Sequence, residues 1–476
     1  MRLILPTLAL IFWSISGSAD HHAEASKISA NNLSDIVKVM ASDEFEGRAP
    51  GTVGEDKTVA YLIAQMKKIG LTPGGTEGSW TQAVPMMRSE VKPSAKMSFS
   101  SVDRVLTLAQ GTSVSVDTAT ARTSIVATDV PVVFVGFGAN APEQDWDDYG
   151  GIDLTGKLAI YLVNDPDFAA EPQEAVAGRF GNRRMTYYGR WTYKFEEAAR
   201  RGAFGALVIH ETEAAGYDWS VAAAGAGENV SLANKDPQAL PVTLQGWLHN
   251  DAARELLAAA GHDLDALRNT ARQPEFQAFE LEGMLFEADL EVDITTFDSQ
   301  NVLGLLPGNE RPEEVIMASA HWDAYGIGAP DEQGRTVRSG ANDDALGSAG
   351  ILELARVIKA QPAMARSVVF AFWTAEEAGL VGSMAYAADP IFPIEKTVAN
   401  FTLDILQTAG AANDVILVGK GQSELEDSLA RVAEAAGRYV TEENLPENGL
   451  FYRADHFSMA RVGVPVLLMM GIAGGA

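Results

Sequence analysis

Apolar and polar positions change period twice along this chain. Between about residues 28 and 72, apolar residues recur every three or four positions in SANNLSDIVKVMASDEFEG and EDKTVAYLIAQMKKIG. That spacing predicts two helices, the second stopping at Gly70. GRAPGTVG between them is a glycine and proline loop. Residues 73–125 turn to short alternating stretches such as KMSFSSV and TSVSV, the period of half-buried strands. Residues 126–290 bring continuous apolar runs, VPVVFVGFG and GKLAIYLVND, then a helix, a glycine turn and a buried strand in KFEEAARRGAFGALVIHE. ALPVTLQGWLH and GHDLDALRNTA complete that set. From residue 291 strands alternate with helices through EVIMASA, GSAGILELARVIKA, SVVFAFW, TVANFTLDI and VPVLLMMG. Strands apolar on both faces, separated by helices, predict an α/β fold: a mixed, mainly parallel sheet flanked by helices.

At 476 residues the chain exceeds what one core usually serves. We divide it into a signal segment (1–19), an N-terminal part of the main domain (20–125), an inserted β-rich module (126–290) and a chemistry-bearing part (291–476). The first segment is read from Arg2, the apolar run LILPTLALIFWSIS and the small residues of GSAD, with a cut near Ala19. No other stretch is apolar enough to span a bilayer. The chain has no cysteine, which removes disulfides, thiol catalysis, thiolate metal sites and a lipoprotein anchor. A secreted chain without disulfides fits a bacterial periplasm or medium. The formal net charge of -28 repels nucleic acid and anionic membranes. Nothing in the pattern sets an oligomeric state.

The chemistry gathers in the last third. His321 follows one strand in H-W-D, Asp343 lies in N-D-D-A-L-G ahead of a helix, Glu376 and Glu377 follow a second strand, and Asp404 follows a third in T-L-D-I. His456 stands in A-D-H-F. Open α/β sheets collect functional groups at the carboxyl ends of their strands, so three strands deliver imidazole or carboxylate to one rim. Zinc takes both kinds of ligand. Asp343 is placed to bridge two ions, His321 with Asp404 to complete one and His456 with Glu377 the other. Two zinc ions, three carboxylates and one bridging hydroxide make a neutral set, which suits a partly buried cleft. Glu376 is left over as the general base. Asp323 and Asp455 are candidates to orient the imidazoles. Each of these residues alone has a plain reading, as a structural histidine, a solvated turn or a helix cap. Together at strand ends they point to hydrolysis with metal-acidified water.

Other motifs fall away. HETEA at His210 lacks the second histidine of H-E-x-x-H, and no serine-hydrolase elbow, Walker loop or dinucleotide fingerprint opens a helix in the right place. His21, His22, His210, His249 and His262 read as structural or solvated. N-F-T at Asn400 fits a glycosylation pattern but lies in a buried strand.

HWD, SGANDDALGSAGILELAR, FAFWTAEEAGLVGS, NFTLDI and FYRADHFSMARVGVPVL resemble, in order and spacing, the ligand-bearing segments of the M28 zinc peptidases. DEFEGRAPGTVGEDKTVAYLIAQMKKIGLTPGG resembles the start of the branch with a protease-associated domain. WDDYGGIDLTGKLAIYLVND and RWTYKFEEAARRGAFGALVIH resemble that domain itself. The resemblance implies a zinc exopeptidase-like fold and two zinc ions, with cobalt or manganese as alternatives, held by His321, Asp343, Glu377, Asp404 and His456. It implies Glu376 as base and a peptide with a free N-terminus as substrate. Asp344 is the fallback for Asp343. Leu346 stands where relatives usually have Ser or Thr, and Ala324 where many have His. Relatives usually continue past the stretch around Gly471, so a further segment covering the sheet or walling the pocket is expected. Carboxypeptidase or dipeptidase action, or a receptor without catalysis, are the competing readings. Glutaminyl cyclisation goes with a single zinc, against a bridging Asp343.

Overall fold

A computed structural model describes residues 27–233 and 241–471. The expected signal segment, 1–19, lies outside the described residues. Among the described residues no helix is long and apolar enough to cross a membrane.

The main sheet is built from β1 (Thr81–Val91), β2 (Phe279–Leu306), β3 (Arg311–His321), β4 (Arg366–Trp373), β5 (Thr397–Leu403), β6 (Asp414–Leu417), β7 (Tyr439–Glu442) and β8 (Val466–Met469). Its order is β1–β2–β4–β3–β5–β8–β6–β7. The four central strands β4, β3, β5 and β8 run parallel, while β2 is antiparallel to both β1 and β4. The sheet is therefore mixed and largely parallel, as the apolar runs imply.

Burial explains why those runs do not alternate. Phe370 and Phe372 of β4 pack on one face with Leu62, Met66, Trp322, Ile351 and Leu352. Val369, Ala371 and Trp373 pack on the other with Met317, Tyr386, Met459 and Leu468. The helices covering the first face are α1 (Ala30–Met40), α2 (Val53–Ile69) and α3 (Leu346–Lys359). As the helical period requires, α2 ends at Gly70, which takes φ 90° and closes the last turn with its N–H on Met66 and Lys67 carbonyls. The other face is covered by α4 (Val381–Ala388) and α5 (His456–Arg461).

A second sheet with its own core lies in the middle of the chain. Strands Leu244–Leu248, Gly205–Ile209, Leu158–Leu162 and Ser124–Gly136 run parallel in it, with helices Trp191–Arg200 and Asn250–Ala259 packed alongside. Strands Lys96–Ser100, Val105–Leu108 and Val114–Asp117 pair into this sheet as well. The second module thus takes up the chain just after Val91, earlier than the expected residue 126. The cause is β2, which spans 28 residues without a break. Up to residue 291 it pairs with module strands, and from Val292 it pairs with β1 in the main sheet.

Candidate metal centre

The parallel strands of the main sheet end at a common rim, and the candidate residues stand on it. His321 is the last residue of β3 and is 1% exposed. Glu376 and Glu377 follow β4 after a turn in which Ala375 takes a left-handed φ of 50°. Asp404 follows β5 directly, and Asp343 lies in the turn that opens α3. Atoms of His321, Asp343 and Asp404 all come within 4.8 Å of one another. His321 Nε2 is 3.0 Å from Asp343 Oδ1 and 3.9 Å from Glu376 Oε2.

Neighbouring carboxylates divide the work. Asp344 spends both oxygens on backbone: Oδ1 accepts from Gly347 N–H at 2.9 Å and Oδ2 from His321 N–H at 3.3 Å. A Cβ at Gly347 would come within 2.2 Å of Asp344 Oδ1, so glycine is required where that carboxylate caps α3. Asp343 is left free to face the histidine. Asp323 acts similarly across strands. Its two oxygens accept from the N–H groups of Glu376 and Glu377 at 3.1 and 3.4 Å, and Oδ1 lies 3.4 Å from His321 Nδ1. The turn carrying the glutamates is thereby tied to the loop carrying the histidine.

His456 lies outside that group. Among the described residues, Glu377 and His456 do not join Asp343 in a second group of ligand distance. The His456 ring lies against Phe451, centroids 4.8 Å apart, and neither ring nitrogen has a hydrogen-bond partner. The reason is the start of α5. His456 is its first residue and is fully buried beside Phe451, while Asp455 before it is a residue whose charge interacts with His321, Asp323 and Asp404. Burial lowers the His456 pKa to about 3.

The electrostatics describe acid in excess. Burial raises Glu376 well above the usual carboxylate range, with Asp404, Asp455 and Glu377 adding to it and His321 opposing. Burial and Asp343 push Glu377 up to about 8, against His321 and the Tyr325 hydroxyl. Burial takes Asp404 to about 6 and Asp455 to about 7. Burial works to strip the proton from His321, but Glu376, Asp323, Asp343 and Asp344 outweigh it and hold the ring protonated. Glu377 Oε1 and both Asp455 oxygens are buried without hydrogen-bond partners. Buried carboxylates that repel one another and lack donors call for a cation, and imidazole with carboxylate is a donor set that zinc accepts.

One residue of the site escaped the pattern analysis. Arg48, in the loop between α1 and α2, is fully buried. Its guanidinium donates to the carbonyls of Trp322, Met40, Ser339 and Gly340 at 2.7–2.8 Å. Trp322 follows the histidine, and Gly340 precedes the N-D-D turn. Burial lowers its pKa, opposed by Asp323, Asp344, Glu377 and Asp343.

Residues 301–475 match the model of peptidase family M28. This part of the chain is similar in sequence to that family. The chain is 32% identical over 180 residues to Aminopeptidase NAALADL1 of Mus musculus, covering 35% of this chain and 22% of that protein. It is 32% identical over 127 residues to Aminopeptidase YwaD of Bacillus subtilis, covering 26% of this chain and 25% of that one. The chain thus spans about a quarter or less of these curated relatives' length. Among solved structures, an aminopeptidase from Aneurinibacillus sp. strain AM-1 superposes with a TM-score of 0.52 at 20% identity, covering 95% of this chain and 87% of that one. At that identity the likeness speaks to the fold.

The motifs set aside in the sequence have plain places. Asn400 of N-F-T is buried, its side chain bonded to Ser319 and Thr402. His210 packs among Tyr217, Trp219 and Trp247, and His249 caps the helix Asn250–Ala259.

Proposed function

We propose that this protein is a metal-dependent exopeptidase, an aminopeptidase that removes residues from the free N-terminus of peptides. The observation that carries the reading is the meeting of His321, Asp343 and Asp404 at ligand distance, with Glu376 beside them. A divalent cation, zinc by ligand type, would be held by these three residues; when bound it polarises a scissile carbonyl and acidifies water. Asp343 and Glu377, whose charges act on one another, would supply carboxylates toward a second cation.

Glu376 does the proton work. Its side chain is only 10% exposed, it sits 3.9 Å from His321 Nε2, and burial raises its pKa toward that of a useful base. It takes a proton from the attacking water and returns it to the leaving amine. Asp323 holds Glu376 and Glu377 by their backbone N–H groups, so the base keeps its bearing on the ligand set. The acidic rim attracts the substrate's ammonium terminus. Export to a periplasm or medium belongs to the same proposal and is supported by the first 19 residues of the sequence.

The test is Glu376→Gln in the full chain. The variant should bind metal as the parent does and lose turnover of amino-acyl anilides by about 10²–10⁴-fold. Parental turnover with parental metal content would remove Glu376 from the mechanism. Hydrolysis of N-acetylated peptides in preference to free-amine ones would replace the aminopeptidase reading by carboxypeptidase action.

A further inference from the structure

Two polar side chains of β2, Ser299 and Asn301, are fully buried and lie two residues apart on one face of the strand. They meet the loop that carries Glu376 and Glu377. The ladder between β2 and β4 ends at Val302 and Phe372, and β4 itself ends at Trp373. Thr374 comes next, and the loop runs from it to Gly382 in α4. Asn301 Oδ1 accepts from Thr374 N–H at 3.2 Å, and Asn301 Nδ2 donates to Gly382 O at 2.9 Å. One side-chain amide thus grips both ends of the loop. Between those ends, Gly382 N–H donates to Thr374 O at 3.0 Å. A Cβ on Gly382 would collide with Thr374 O and Asn301 Oδ1, so the grip requires glycine there. Asn301 Nδ2 is itself oriented by Gln82 Oε1 at 3.1 Å, and Gln82 Nε2 donates to Asp389 O at 2.7 Å past the end of α4.

The Thr374 side chain is held separately. Its hydroxyl lies 2.6 Å from Ser299 Oγ, and Ser299 Oγ donates to Glu55 Oε1 at 2.9 Å. Ser299 has one proton to give, so Thr374 is the donor in their bond. Glu55 is 3% exposed, in the first turn of α2, and its other oxygen accepts from Gly51 N–H at 2.6 Å. The loop needs such support. Ala375 and Leu380 take left-handed φ of 50° and 64°, which residues with a Cβ rarely adopt and keep only where surrounding bonds over-determine them.

We propose that Asn301 and Thr374 are positioning residues for the proton-transferring glutamate. Asn301 fastens the two ends of the loop, and Thr374, backed by Ser299 and Glu55, fixes its first residue, so that Glu376 stays beside His321. Asp323 holds the glutamate N–H groups from the H-W-D side, and this pair holds the base of the loop from β2. The inference rests on the peptidase reading and adds to it two residues that act through Glu376.

The experiment reads the loop and the turnover in the full chain. Amide hydrogen exchange of residues 374–382, followed by mass spectrometry, should run at least about tenfold faster in Asn301→Ala and in Thr374→Val than in the parent, with α3 and the module helix Trp191–Arg200 unchanged. At saturating zinc, kcat on amino-acyl anilides should fall about 10–100-fold with KM within about twofold of the parent. Thr374→Ser keeps the hydroxyl and should recover both readouts. Parental exchange in both variants, parental kcat with a loosened loop, faster exchange spread over the whole chain, or a loss that Thr374→Ser does not recover each overturns the positioning role. Thr374→Val preserves the side chain's shape, so it decides the question where Asn301→Ala does not fold. A parent that cleaves no peptide sinks the peptidase reading, and exchange then still tells whether the pair holds the loop.

Discussion

Replacing Arg48 by methionine tests whether the N-terminal loop builds the metal centre. The guanidinium donates to four carbonyls on three separate segments, those of Met40 and Trp322 in buried bonds and those of Ser339 and Gly340 in part-buried ones. Hydrogen bonds from charged donors contribute about 1.5–3 kcal/mol each, and an acceptor left buried and unpaired costs roughly 1–3 kcal/mol. Four such acceptors sharing one donor do not add independently, and water will reach some of them. We therefore expect a loss of about 3–5 kcal/mol, the range for breaking a buried charged partner. That is a large share of the roughly 5–15 kcal/mol that holds a domain together. Urea denaturation of the metal-free chain measures it. Arg48→Lys should recover only part, because an ammonium group cannot span four acceptors on three segments. Metal binding separates two causes. If Arg48 acted only through charge, its removal would relieve opposition to a cation beside Asp323, Asp344, Glu377 and Asp343, and metal would bind more tightly. If it positions the H-W-D and N-D-D turns, metal should bind about 10–100-fold more weakly, as when supporting residues around a metal site are lost. Unchanged urea midpoints together with equal or tighter metal binding would refute the positioning argument.

Other outcomes follow from the same geometry. Asp404, Asp455 and Glu377 have folded-state pKa values of about 6, 7 and 8, raised above ordinary carboxylates. A raised carboxylate pKa means that the folded state holds protons more tightly, so stability is full below about pH 4 and falls as pH climbs through those values. The melting temperature of the metal-free chain should therefore drop between pH 5 and 8, and added zinc should remove the slope; a flat profile without metal would count against the uncompensated cluster. Zinc affinity, measured by chelator competition, should rise with pH over the same interval, because protons on His321 and the carboxylates must leave first. Asp343→Asn should lower zinc affinity far more than Glu377→Gln, since Asp343 lies at ligand distance from His321 and Asp404; the reverse order would move the centre. His456→Ala should leave metal content unchanged and lower stability by a few kcal/mol through lost packing; losing one equivalent of metal would restore it as a ligand.

The fold was legible where burial on both faces forced unbroken apolar runs. SVVFAFW reads as a central strand because Val369, Ala371 and Trp373 meet one core and Val368, Phe370 and Phe372 the other. The residues at the ends of those strands were legible for the same reason, since a parallel sheet sets His321 and Asp404 on one rim. The edge of the second module was not. No turn residue marks residue 291, where β2 passes from one sheet to the other, so pattern alone could not tell which strands pair on each side of it. Arg48 was hidden because all of its acceptors are backbone carbonyls, which carry no sequence signature.

Paired motifs at the site show the same limit from the other side. In each paired motif of this centre, one residue faces the ligands and its neighbour is used elsewhere. Asp343 faces His321 while Asp344 caps α3. His321 meets the group while Asp323, two positions on, holds the turn of Glu376 and Glu377. At A-D-H the choice falls on Asp455, because α5 starts at the next residue and rotates His456 into the core beside Phe451. Adjacent side chains at a helix start point in different directions, so composition cannot say which of the two reaches the rim. Strand ends impose their geometry on a residue; helix starts share it between neighbours, so the pattern alone could not separate Asp343 from Asp344 or Asp455 from His456.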